Sequence, residues 1–153
     1  MGNLGFPRVI ATDLDEVGLE MVKKAAEEQN LQNVETMRLD LTSNANNLDD
    51  INADLYVMSD VFENGAVAEG VAEITMEVLH NGGRVWCFAQ SDRAQRDIYC
   101  KSLEDKGASI FGKLEWQTSP ENTNFQAQAQ KITSEKGDRL LLIDLEEIDV
   151  NYG

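Results

Sequence analysis

The chain has 153 residues, a length that supports one domain (residues 1–153) with a sizeable buried core. Its 13 basic and 28 acidic side chains give a net charge of −15, which repels nucleic-acid phosphates and anionic lipid. Nucleic acid and membrane are therefore not expected partners, whereas a basic protein surface is compatible with this charge. No apolar stretch approaches membrane-spanning length, so we expect a soluble, cytoplasmic protein.

The hydrophobic pattern alternates between short strands and helices. Strands are predicted at residues 9–13, 34–41, 55–58, 85–89, 110–116 and 140–145. Helices are predicted over residues 15–29, around Val67–Val78 and from a Ser91–Asp92 cap to Lys106. This order predicts an α/β fold with a doubly wound, mostly parallel sheet. The last two strands have no helix between them, which predicts an antiparallel hairpin at one edge.

Two cysteines, Cys87 and Cys100, fall inside a predicted strand and a predicted helix. Their spacing to each other and to His80, the only histidine, does not resemble a zinc site. We therefore expect reduced, structural thiols and no metal site. His80 lies at a predicted helix end, where its charge complements the helix dipole, so a structural role is expected for it.

An acidic strand end near the start of the chain is the strongest functional signal. Val9–Asp13 reads as a buried strand that ends in a carboxylate and leads directly into a helix. In nucleotide-binding α/β domains such a carboxylate binds the ribose hydroxyls of an adenosine-containing cofactor. It normally follows a first strand and a glycine-rich loop, whereas only eight residues precede Val9 here, and Gly2 and Gly5 follow no predicted strand.

Four segments in order resemble the motifs of one enzyme family. Val9–Asp13 resembles a second-strand motif, Arg38–Leu41 a third-strand motif, Ala53–Phe62 a fourth-strand motif, and Leu79–Val85 the Gly-Gly approach to a fifth strand. The family is the seven-strand (class I) S-adenosylmethionine-dependent methyltransferases, in their protein-lysine methyltransferase-like branch (methyltransferase family sixteen). The resemblance covers residues 1–116 and, in outline, the terminal hairpin.

This resemblance implies a Rossmann-like methyltransferase fold that lacks its first strand and Gly-rich loop, and hence an N-terminally truncated domain. It implies that Asp13 binds the ribose of S-adenosylmethionine, that Asp40 and Leu41 lie against the adenine, and that Asp60 stands where the methyl donor meets the acceptor. The implied acceptor is a lysine of a protein substrate. The chain departs from the family's Asp-x-x-Tyr motif at Glu63, which occupies the tyrosine position.

Two other functions remain open at this point. A degenerate, non-catalytic methyltransferase-fold module or a truncated product would bind a partner without turnover. Asp13-Leu14-Asp15-Glu16-Val17 also fits the nucleophile motif of haloacid-dehalogenase-like phosphatases, in which Asp13 attacks phosphorus, Asp15 acts as acid and base, and magnesium shields the charge. For Asp13 and Asp40, simpler structural roles are a helix-capping carboxylate and a turn residue, respectively.

Overall fold

The computed structural model describes residues 5–42, 53–118 and 138–145. The chain divides into two compact units, Met1–Ile51 and Asn52–Gly153, and each is described by itself. Both units alternate strands with helices, and the prediction of an α/β fold is confirmed at this level. Among the described residues, no helix is both long enough and apolar enough to cross a membrane.

The first unit is a strand–helix–strand arrangement. Strand β1 (Val9–Asp13) pairs in parallel with β2 (Val34–Arg38), and helix α1 (Glu16–Glu28) connects them. The cap of α1 is Asp15, whose side chain accepts a hydrogen bond from the amide of Val17. Asp15 therefore caps the helix in place of Asp13, because two residues, Leu14 and Asp15, separate the end of β1 from the start of α1.

Helix α1 forms where its periodicity predicts, yet much of its apolar surface is exposed. Within the described part of this unit only Leu19 and Ala26 are buried, whereas Val17 and Met21 are 69% and 67% exposed. The described sheet beneath α1 has only two strands. A sheet of this width can bury only a narrow strip of the helix surface. Val17 and Met21 lie outside that strip.

The second unit is built on a four-stranded sheet with the order β3-β4-β6-β5. Its elements in chain order are β3 (Leu55–Ser59), α2 (Gly65–His80), β4 (Arg84–Gln90), α3 (Gln95–Asp105), a 3-10 turn (Ala108–Ile110), β5 (Gln117–Thr118) and β6 (Leu140–Leu145). Every pairing in this sheet is parallel. The last described strand, β6, thus lies between β4 and β5.

The core of the second unit lies between this sheet and helices α2 and α3, which pack against each other. Fully buried side chains come from all of these elements, including Val71, Leu79, Val85, Tyr99 and Leu142. The hydroxyls of Thr75 and Tyr99 lie 3.0 Å apart and satisfy each other inside the core. A buried polar group without such a partner would cost free energy, so this hydrogen bond permits a tyrosine and a threonine here.

The predicted antiparallel hairpin is wrong, because β5 and β6 are parallel. The amides of Arg139 and Leu140 both donate to the carbonyl oxygen of Phe111, so β6 begins beside Phe111. Six residues after Phe111, Gln117 is paired with Ile143, so both segments advance in the same direction. Residues 119–137, which connect them, lie outside the described residues.

The predicted strand over residues 110–116 is also wrong. The chain forms a 3-10 turn at Ala108–Ile110 and extends only at Gln117–Thr118. Within this segment Gly112 approaches β6 so closely that a Cβ atom would stand 2.4 Å from the carbonyl oxygen of Leu140. Gly107, with φ of +77°, ends α3 as its glycine predicts.

A single doubly wound sheet is not what the described strands form. They make two parallel sheets, β1-β2 and β3-β4-β6-β5, one in each unit. Helices α2 and α3 contact each other and therefore cover the same face of the larger sheet, as right-handed connections between successive parallel strands require.

Candidate functional site

Asp13 ends β1 and is exposed to solvent. Its Oδ1 accepts a hydrogen bond from the backbone amide of Asp15 at 3.0 Å, which closes a short turn between β1 and α1. The structure thus places this carboxylate at the carboxyl end of a parallel strand, where α/β domains bind their ligands. Its contact to Asp15 uses one side of the carboxylate, and a carboxylate has about four lone-pair positions in total.

Asp40 and Leu41 follow β2 and lie at the same edge of the sheet as Asp13. The amide of Leu39 donates to the carbonyl oxygen of Asp13 at 2.9 Å, which joins the two strand ends. Oδ1 of Asp40 accepts hydrogen bonds from the hydroxyl and the amide of Thr42, and these bonds lower the pKa of the Asp40 carboxyl. Asp40 is therefore a turn residue, and Leu41 beside it is half-buried.

Asp60 directly follows β3 in the second unit. Its backbone adopts φ of +53°, in the left-handed region that few residues other than glycine enter. Its amide donates to the carbonyl oxygen of Phe88 on β4 at 2.8 Å, so the neighbouring strand holds the backbone in this conformation. Such a strained conformation persists only where the surroundings enforce it, and it is common at binding sites.

Both oxygens of the Asp60 carboxylate are bonded to Arg93, in the loop between β4 and α3. Arg93 Nε donates to Oδ1 at 2.8 Å, and Nη2 donates to Oδ2. This bidentate arrangement fixes the plane of the carboxylate, and the hydrogen bond and charge of Asp60 raise the pKa of Arg93. Asp92 and Glu63 act on the guanidinium in the same direction.

None of the sequence motifs assigns Arg93 a role at the site. A charged run such as Arg93, Arg96 and Asp97 is typical of a solvated helix face, yet Arg93 pairs with Asp60 before α3 begins and Arg96 is not solvated. Arg96 is buried, donates to Asp144 on β6 at 3.2 Å, and lies with its guanidinium carbon 3.9 Å from the centre of the Trp116 ring. Only the position of Arg93 after β4 could have indicated its role, because loops that follow adjacent parallel strands meet at one edge of the sheet.

The residues predicted for the site thus fall in two places. Asp13, Asp40 and Leu41 belong to the first unit, and Asp60 with Arg93 belongs to the second. Every one of the five lies at or just after the carboxyl end of a parallel strand. This placement is the feature that the two parts share.

Metal-dependent phosphatase chemistry finds little support in these contacts. The carboxylate of Asp15 caps α1, and that of Asp13 accepts the amide of Asp15, so both are committed to local turns. In residues 5–42, 53–118 and 138–145 no group of three or more His, Cys, Asp or Glu side chains is arranged to hold a metal ion.

His80 is exposed at the end of α2 and contacts the ring of Phe111 edge-on, as a structural residue would.

Comparison with known proteins adds no relative: no family model, no curated protein sequence and no solved structure matches this chain.

Proposed function

We propose that this chain is an S-adenosylmethionine-dependent methyltransferase-like domain of Rossmann-like fold that acts on a lysine of a protein substrate. The observation that carries the proposal is the position of Asp13, Asp40 and Asp60. Asp13 is the last residue of its parallel strand, whereas Asp40 and Asp60 follow theirs by two residues and by one, in the order that the sequence motifs require. Ligands of parallel α/β sheets bind outside these carboxyl ends.

The adenosine part of the cofactor fits the first unit. Asp13 is exposed and retains lone pairs for two ribose hydroxyls, and charge-assisted hydrogen bonds of this kind are about twice as strong as neutral ones. Leu41 offers a half-buried apolar surface for the adenine. Asp40 supports that surface indirectly, because its bonds to Thr42 shape the turn.

When bound, S-adenosylmethionine supplies an activated methyl group on a sulfonium. The protein then has to align the acceptor nitrogen with that methyl group, and alignment alone can account for a large part of the rate. Asp60, half-buried and held by β4 and by Arg93, is the residue that we assign to orienting the acceptor nitrogen. The chain's excess of acidic residues favours approach of a basic substrate protein.

Cofactor binding to paired variants of the first unit tests the proposal. S-adenosylhomocysteine is titrated by calorimetry into the wild-type chain, Asp13→Asn and the matched control Asp15→Asn. Asparagine caps helices and turns as well as aspartate does, so both variants keep α1 while each loses one charge. We expect Asp13→Asn to weaken binding at least tenfold, because a charge-assisted contact to ribose is lost, and Asp15→Asn to change it less than twofold.

Three outcomes contradict the proposal. Equal weakening by both substitutions means that net charge, not the ribose contact, controls binding. No binding by the wild-type chain favours the non-catalytic module. Magnesium-dependent hydrolysis of a phosphate ester that both substitutions abolish favours the phosphatase instead.

A further inference from the structure

We propose that Arg93 is a positioning residue for methyl transfer, which holds the Asp60 carboxylate and neutralises its charge so that the acceptor amine is bound without its extra proton. The inference rests on the proposed function and adds a residue that the sequence motifs do not include. It starts from the bidentate contact between the two side chains. The side chains of Arg93 and Asp60 are 40% and 34% exposed, so the pair is partly shielded and partly accessible to solvent.

Arg93 and the backbone fix the carboxylate together. The left-handed backbone of Asp60, held by the hydrogen bond to Phe88, sets the direction in which the side chain leaves the strand. The arginine fork then sets the plane of the carboxylate, because two parallel N–H···O bonds allow one orientation. A carboxylate held in this way retains lone pairs that can accept an N–H bond from a third group.

The chemistry explains why the carboxylate should be paired. During transfer the amine nitrogen forms a bond to the methyl carbon while the carbon–sulfur bond breaks, and the bonding electrons go to sulfur. The nitrogen needs a lone pair for this step, so the ammonium form must first lose a proton to water. The methylated product then carries the positive charge. An unpaired carboxylate would stabilise the ammonium form and oppose that loss.

Charged groups around the pair act in a consistent way. Asp60, Asp92 and Glu63 all raise the pKa of Arg93, so the guanidinium stays protonated at every working pH. Together the three carboxylates attract a cationic lysine side chain to this edge of the sheet. Arg93 cancels the charge of one of them at the point that we assign to the acceptor.

The test compares Arg93→Gln and Arg93→Lys with a matched control. Arg8 makes the same bidentate contact to Glu35 in the first unit, through bonds of 2.8 and 2.9 Å, so Arg8→Gln removes an equal charge and an equal fork. Methylation of a lysine-rich peptide by radiolabelled S-adenosylmethionine is followed from pH 6 to pH 10 for the wild-type chain and each variant, with kcat and KM determined separately.

We expect Arg93→Gln to move the acidic limb of the kcat profile to higher pH by about one unit, because the unpaired carboxylate raises the pKa of the bound amine. At pH 7.5, kcat then falls about tenfold, while KM for the peptide does not rise. Arg93→Lys keeps the charge but loses the fork, so the limb stays in place and kcat falls a few-fold. Arg8→Gln matches the wild-type chain throughout.

A measurement on the wild-type protein checks the pairing without relying on activity. The Nε–H signal of Arg93 in a nitrogen-15 spectrum should exchange slowly with water and should lose this protection in Asp60→Asn. A fast-exchanging signal in the wild-type chain overturns the inference. If Arg93→Gln transfers methyl groups with the acidic limb of its kcat profile unchanged, the inference is wrong, whereas the proposed function is not contradicted. No transfer by any variant or by the wild-type chain removes both.

Discussion

Cys87 lies in the middle of β4 and is fully buried. Burial raises the pKa of its thiol to about 12, and a hydrogen bond with Tyr99 offsets part of that rise. Burial also raises the pKa of Tyr99 well above its usual value. Both groups therefore stay neutral in the folded protein under conditions in which they would ionise in the unfolded chain.

This difference makes stability depend on pH in the alkaline range. The thiol of the unfolded chain loses its proton near pH 9 and that of the folded protein near pH 12. Between these values a rise in pH therefore stabilises the unfolded state relative to the folded state. We expect Cys87 to contribute a loss of about 1.4 kcal/mol in the free energy of unfolding per pH unit across this window. Urea unfolding at pH 8.5, 9.5 and 10.5 gives the free energy of unfolding at each pH. This free energy should fall less steeply with pH for Cys87→Ala than for the wild-type chain. Tyr99 adds the same pH dependence to both proteins. An equal fall of the free energy of unfolding with pH in the two proteins would therefore mean that Cys87 is not shielded as described.

The candidate site was partly predictable at this scale. Asp13 and Asp60 could be placed at strand ends because an apolar run that stops at a carboxylate is visible in one dimension. Arg93 could not be assigned, because its partner lies 33 residues away and the contact depends on two loops meeting at the edge of a folded sheet. The burial of Arg96 could not be predicted for a related reason. It depends on the indole of Trp116, just before β5, and on the carboxylate of Asp144 in β6.

Among the elements, the segment before β5 depends most on one small residue. A Cβ atom on Gly112 would lie 2.4 Å from the carbonyl oxygen of Leu140, and that atom belongs to the backbone and cannot move aside cheaply. We expect Gly112→Ala to lower the free energy of unfolding by about 2–3 kcal/mol. At Gly65 the added carbon would meet only Ile98 Cδ1 at 3.5 Å, an ordinary contact. Gly65→Ala is therefore the control and should be neutral or slightly stabilising.

Urea unfolding followed by circular dichroism compares the two variants. If Gly112→Ala is as stable as Gly65→Ala, then β6 does not approach this segment as closely as described.

Periodicity predicted the existence of most elements and failed for their arrangement. Helices α1 and α2 and strands β4 and β6 form where apolar spacing and glycine stops indicated. The direction of β5 depends on the bonds of Arg139 and Leu140 to Phe111, which are contacts between distant residues and leave no local pattern. Helix α3 likewise begins without a side-chain cap at Ala94, because backbone turns at Arg93 and Arg96 replace the cap expected from Ser91 and Asp92.

For the whole molecule, the two units differ most in how much they bury. In the described part of the first unit only Leu19 and Ala26 are buried, whereas the second unit contains the remaining buried residues. Strand β4 has a neighbour on each side, β3 and β6, while β2 pairs with β1 alone among the described strands. Local opening costs less free energy where fewer apolar contacts are broken.

We therefore expect backbone amides of β2 to exchange with deuterium at least ten times faster than those of β4. Exchange read by mass spectrometry on peptides that cover Val34–Arg38 and Arg84–Gln90 measures both in one experiment. The comparison is internal, so concentration, pH and temperature are matched. Equal protection of the two strands would mean that the units open together as one cooperative structure.

The position of β6 has a consequence for synthesis in the cell. Leu140–Leu145 is the last described strand, yet β4 and β5 both pair with it rather than with each other. While the ribosome still holds these residues in its exit tunnel, the emerging chain has β4 with one side open and β5 without a neighbour. The larger sheet can close only after Leu145 has left the exit tunnel, so the nascent chain must remain soluble with an open β4 edge until then.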